Sequence, residues 1–169
     1  MKKSIQLFAL AIFMLAGCNQ ITFDESSILD KETTLEDLRI APGDEAITPK
    51  EAANVALLFN YGHEAIQTKA SKEEVDVYTM YNEEGMPVFY AVNRPDNAGY
   101  VLVSASRKYY PILAYVNKGH FDGNYTDLGI SSWVKEQTVI ISKIEKGELK
   151  TDDTDCAAEW AKYEKRGGV

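Results

Sequence analysis

The sequence predicts an α+β domain: a four-stranded antiparallel sheet packed by two main helices, with a short helix after them. Three observations carry this. Two apolar, β-branched runs, Tyr100–Ala105 and Pro111–Val116, flank a polar reversal at Ser106-Arg107-Lys108 that is too short for a crossover helix, so they pair antiparallel. Two further short strands precede them across turn residues, and apolar residues recur at helical spacing on both sides of the strand region. The Tyr100–Val116 pair is expected in the middle of the sheet.

The composition bounds what such a domain does. At 169 residues with 45% hydrophobic content the chain suits a single core. A net charge of −8 disfavours nucleic acid and anionic surfaces as partners and favours encounter with a basic protein. Two cysteines, Cys18 and Cys156, make no disulfide framework, and no Cys/His spacing suits zinc, so neither a metal nor a cofactor is expected.

In chain order, residues 1–17 read as a lipoprotein signal peptide. Lys2 and Lys3 precede an apolar run from Ile5 to Ala16, too short to span a bilayer comfortably, and small residues follow. Leu15-Ala16-Gly17-Cys18 looks like a bacterial lipobox, which would acylate Cys18 and anchor the chain in the membrane. An ordinary signal peptide that happens to contain a cysteine is the alternative. Asn19 stands where some bacteria place the aspartate that retains lipoproteins at the inner membrane, so the expected location is the cell envelope, at the outer membrane. Residues 18–46 are acidic and read as a tether holding the domain clear of the membrane, with a partly helical docking arm as the other reading.

The domain itself is expected over 47–147. Thr48 is an N-cap, Pro49 sits at the first helical position, and Glu51 completes a capping box; Ala52, Val55, Ala56 and Phe59 then share one face, widened by Leu58, and Gly62 ends the helix with His63 just beyond. Val75–Tyr81 alternates as a half-exposed strand, Asn82–Gly85 turns the chain, and Val88–Val92 returns behind Pro87. Arg94–Gly99 is the next loop, so the four strands form a meander. A polar loop then carries Tyr125, which looks exposed. A second helix starts near Ser131, with a stripe of Ile130, Trp133, Val134, Gln137, Ile140, Ile141 and Ile144, and stops at Gly147. Residues 148–169 form an extension with a short helix through Ala157 and Trp160. Trp160 and Tyr163 there are either core cover or an exposed docking face.

The ordered set Gly99-Tyr100-Val101-Leu102-Val103-Ser104-Ala105, Arg107, Pro111-Ile112-Leu113-Ala114-Tyr115, Gly119 and Phe121-Asp122 resembles the propeptide domain of streptopain-family cysteine proteases and the free-standing Spi-type inhibitors that are similar to it. The resemblance extends more weakly from Thr48 to Lys146. It implies a streptopain-like cysteine protease as partner, bound through a face of the sheet and helix, with the loop after the strand pair entering the active cleft. By position that loop is His120–Gly129, and the implied protease-binding residues are His120, Phe121, Asp122, Gly123, Asn124 and Tyr125, with Asn124 and Tyr125 at the tip. In one place the chain departs from the family pattern. The family's cleft-plugging asparagine sits a short step before the second helix, where this chain has Leu128-Gly129-Ile130, so Asn124 is a neighbour of that position.

Catalysis has no visible basis. Outside the lipobox the one thiol is Cys156; both histidines, His63 and His120, precede it, and only 13 residues follow, too few for a papain-like domain. The expected function is non-catalytic: a lipid-anchored protein that inhibits or docks on a streptopain-like protease. The alternatives are an envelope lipoprotein that reuses the fold to bind another protein or a glycan, and a truncated remnant of a streptopain-like zymogen.

Overall fold

A computed structural model describes residues 36–43, 45–63, 75–125 and 128–165. The expected signal peptide, Cys18 and the tether before Glu36 lie outside the described residues.

The elements are α1 (Pro49–His63), β1 (Asp76–Tyr81), β2 (Pro87–Asn93), a 3₁₀ turn (Pro95–Asn97), β3 (Tyr100–Ser104), β4 (Ile112–Val116), α2 (Leu128–Glu145) and α3 (Asp153–Trp160). The sheet has the order β1-β2-β3-β4, each neighbour antiparallel. The architecture is α+β, as expected. In a meander the second and third strands are the inner ones, so β3 is central and β4 is an edge strand, with Tyr115 45% exposed. The expectation that both lie in the middle is corrected for β4. Its apolar run resembles that of β3, but a run of apolar residues does not reveal how many neighbours a strand has.

Alternation along the strands sends two sets of side chains to two cores. Tyr90, Val92, Val101 and Val103 face α1, where Ala52, Val55, Ala56 and Leu57 meet them. Phe89, Ala91, Tyr100 and Leu102 face the other way, onto Val134 and Ile141 of α2. The sheet is therefore a middle layer between two helices. This explains why β3 is buried at every position, with no polar face. It also covers both faces of β1, expected to be half-exposed: Val77 packs on the first core, Tyr78 and Met80 on the second.

The helix ends obey local rules. Thr48 N–H donates to Glu51 Oε2 at 2.8 Å and Glu51 N–H to Thr48 Oγ1 at 3.2 Å, a complete capping box. At the other end α1 runs through Gly62 to His63. After α2, Gly147 adopts φ +72°, Glu148 N–H reaches the Lys143 carbonyl at 2.8 Å and Gly147 N–H the Ile144 carbonyl at 3.0 Å, the two bonds of a Schellman stop. The start of α2 lies three residues before Ser131, and Ile130, expected in the buried stripe, is 40% exposed.

The segment ahead of α1 is not tether where it is described. Leu38 and Ile40 are 5% and 3% exposed, and Ile40 pairs in parallel with Glu164 beyond α3. The docked arm is the better reading of this part, and what it docks on is the domain itself. The extension after 147 is equally integral. Asp152 caps α3, accepting from Thr154 N–H at 3.0 Å and Asp155 N–H at 3.3 Å. Trp160 is buried, its Nε1 donating to the Tyr109 carbonyl at 2.7 Å. Of the two readings of Trp160 and Tyr163, core cover is the observed one.

Arg107, on the reversal between β3 and β4, joins these segments. Its guanidinium lies 5.4 Å from the Trp160 ring, pairs with Glu164, approaches Glu51 at 3.7 Å and donates to the Ala41 carbonyl at 2.9 Å. A planar cation with several donors is the side chain suited to such a junction.

Candidate functional site

The end of the sheet opposite Arg107 is defined by one row of paired residues, Asp76, Asn93, Tyr100 and Val116. Two loops emerge there and are laced together. The Arg94–Gly99 loop contains Asp96 and Asn97, both at φ 56°, a left-handed conformation that these two residue types tolerate better than most. Gly119 N–H donates to the Asn97 carbonyl at 2.8 Å and Gly99 N–H to the Gly119 carbonyl at 3.2 Å. Gly99 has φ +107°, and a Cβ there would lie 2.9 Å from the Cα of Asn117. Only glycine permits this approach.

The loop expected to meet the partner follows directly. His120 is exposed, with Nε2 3.5 Å from Asp76 Oδ2. Phe121 is buried at 5% exposure and belongs to the core beneath the loop. Its ring is surrounded by Tyr78, Phe89, Tyr100 and Tyr125 at centroid distances of 5.6, 6.1, 5.5 and 5.7 Å. The three strand-borne rings all meet it edge-on, the favoured arrangement for aromatic quadrupoles. The buried Asn93 side chain at the end of β2 binds the Phe121 backbone twice, donating to its carbonyl at 3.0 Å and accepting from its N–H at 2.7 Å.

Beyond this anchor the chain turns outward. Asp122 Oδ1 accepts from Asn124 N–H at 2.8 Å, closing an Asx turn, and that bond, followed by the Asn124 side chain and His120, holds the exposed carboxyl below the usual aspartate range. Gly123 sits at φ +82° against Tyr78, whose ring Cζ would lie 2.7 Å from an added Cβ. Asn124 is exposed at the apex. Tyr125, expected to be exposed, is half-buried against Phe121, and burial, then Tyr78, pushes its phenol pKa upward. Thr126 and Asp127 lie outside the described residues. At Leu128 the chain enters α2, and this leucine is 83% exposed beside the loop.

The six expected site residues thus divide by role. Asp122, Gly123 and Asn124 form the turn, His120 flanks it, and Phe121 and Tyr125 root it in the core. Sequence reading missed Asn93 and Tyr78, which hold the loop from β2 and β1. A polar residue closing an apolar strand was the available signal for Asn93. Cys156 stands apart: its thiol is 1% exposed, and burial pushes its pKa up, the reverse of what a thiolate nucleophile needs.

The fold and this loop together define a small α+β domain that presents one anchored turn at the end of its sheet. The chain belongs to the Spi protease inhibitor family, whose model matches residues 44–141, from the segment before α1 into α2. No curated protein and no solved structure matches it. The family match includes the whole 120–125 loop and ends before α3.

Proposed function

We propose that this protein is a lipid-anchored, non-catalytic inhibitor of a streptopain-like cysteine protease, and that the turn Asp122–Tyr125 occludes the active cleft. The family match over residues 44–141 carries this reading, because it makes the domain an inhibitor domain and includes the loop. The loop's form supports it: Asn124 stands exposed on a turn whose base is fixed by a buried aromatic cluster, a rigid apex of the kind that binds without a large ordering cost. Asn124 supplies amide donors and acceptors at the apex. The Tyr125 ring and the exposed Leu128 are apolar contacts beside it. Anchoring through Cys18 in the outer membrane rests on the Leu15-Ala16-Gly17-Cys18 motif and on Asn19.

The test is peptide hydrolysis by streptopain-like proteases titrated with the full-length chain. Inhibition at or below micromolar concentration is expected, and hydrolysis that is unchanged at that concentration across such proteases rejects the reading.

A further inference from the structure

Asn93 is 1% exposed, and both ends of its amide are committed to one distant residue, Phe121. A primary amide offers a donor and an acceptor side by side, so it meets the backbone of a single residue much as a neighbouring strand would. The Phe121 N–H and carbonyl need such a partner, because the chain has left β4 and not yet entered α2.

We propose that Asn93 is the positioning residue of the loop, holding Phe121–Tyr125 in its binding shape before a partner arrives. The functional half of this proposal rests on the inhibitor reading above; the holding of the loop is a property of the free chain. Without Asn93 the two buried backbone groups of Phe121 regain hydrogen bonds only by opening to water. Opening there also displaces Asp122 and Gly123, and with them the turn that sets Asn124. Binding then has to reorder the segment, and affinity falls.

Two substitutions separate this role from general stability. Asn93→Leu removes both bonds at similar volume. In Asn93→Asp the ionised carboxylate accepts from the Phe121 N–H but repels its carbonyl. The protonated acid restores donor and acceptor together. Burial and the carboxylates of Asp76, across the strand pair, and Asp122, on the loop, favour the protonated form of the introduced group; His120, when charged, opposes them, and Tyr100 on β3 is neutral.

Amide hydrogen exchange in the full-length free chain at Phe121 and Asn124, whose N–H groups are both hydrogen-bonded, is expected to quicken about tenfold or more in Asn93→Leu, and in Asn93→Asp at pH 7.5. Asn93→Asp at pH 5 returns toward wild type, each rate being taken relative to the intrinsic rate at that pH. Exchange at Val101–Val103 in β3 stays slow. The inhibition constant against a streptopain-like protease rises by a similar factor at pH 7.5. Unchanged loop exchange overturns the proposal, as does faster loop exchange with unchanged inhibition, or an equal acceleration in β3. If Asn93→Leu does not fold, the two pH values of Asn93→Asp decide. If the wild-type chain inhibits no such protease, the inhibitor reading fails, and the exchange data still decide whether Asn93 holds the loop.

Discussion

Asn93 and Phe121, 28 residues apart in sequence, bind each other twice inside the core, side chain to backbone. Through this pair the position of an exposed loop is set by the end of an inner strand.

Phe121 is the aromatic hub beneath the loop. Replacing it with alanine removes a buried ring from among four others and is expected to destabilise the domain by about 3–5 kcal/mol. Phe121→Leu retains much of the volume and costs less. Urea unfolding followed by far-UV circular dichroism measures both, and an Ala variant within about 0.5 kcal/mol of wild type contradicts the packing described.

Asn124 at the exposed apex has little to contribute to stability. Asn124→Ala is expected to leave unfolding free energy within about 0.5 kcal/mol of wild type while weakening inhibition about tenfold or more. Tyr125→Ala lowers both, because its half-buried ring packs on Phe121. Inhibition constants and denaturation midpoints measured on the same preparations separate the two behaviours.

Gly99 joins the loop end to β4 by backbone proximity. A methyl group there meets the Val116 carbonyl and the Asn117 backbone at a φ that L-residues avoid, so Gly99→Ala is expected to lose about 2 kcal/mol or more. Gly119→Ala has a similar φ but open space around the methyl and is expected to lose less. The difference in urea midpoint between the two variants isolates the clash from the backbone conformation.

Two tyrosines, Tyr90 buried and Tyr163 half-buried, make the fold sensitive to alkali. Burial, the largest cause in both, pushes the pKa values of Tyr90 and Tyr163 from 10.0 up to about 12. A folded-state pKa above the unfolded value favours the native state while the phenol stays protonated. That contribution is complete below pH 10 and is lost as pH rises through about 12. Urea midpoints are expected to fall across that window, less steeply in Tyr90→Phe, which also gives up the 2.7 Å bond to the Ile47 carbonyl. Absorbance at 295 nm in the native protein is expected to show a class of phenols ionising late.

Trp160 pins α3 to the sheet, and Cys156, four residues before it, is buried on the same helix. Trp160→Ala is expected to cost about 3–5 kcal/mol and to speed the reaction of Cys156 with a disulfide reagent, which is slow in the native wild type because the thiol is enclosed and its pKa raised. A variant with native stability and an unreactive thiol shows that α3 docks without the indole.

Short-range chemistry was legible in the sequence. The Thr48–Glu51 capping box, the turn residues that bound four strands and the Gly147 stop each depend on residues a few positions apart, and each appears in the structure. What depends on distant partners was not. The demotion of β4 to an edge strand and the division of the helices between opposite faces follow from tertiary arrangement. Leu38 and Ile40 were hidden among acids, so a segment that packs on α3's exit read as tether. The loop showed the same split. Its polar turn was readable from Asp122-Gly123-Asn124, whereas the burial of Phe121 and Tyr125 depends on Tyr78, Phe89 and Tyr100, which reach it from three strands.

The parallel pairing of Ile40 with Glu164 puts the incoming and outgoing segments of the described chain side by side, beside Arg107 and at the opposite end of the sheet from Asn124. A fluorophore, an affinity handle or a solid support attached through the C-terminal side thus leaves the Asp122–Tyr125 turn unobstructed. Surface-immobilised binding measurements are therefore expected to report the same affinity as those made in free solution.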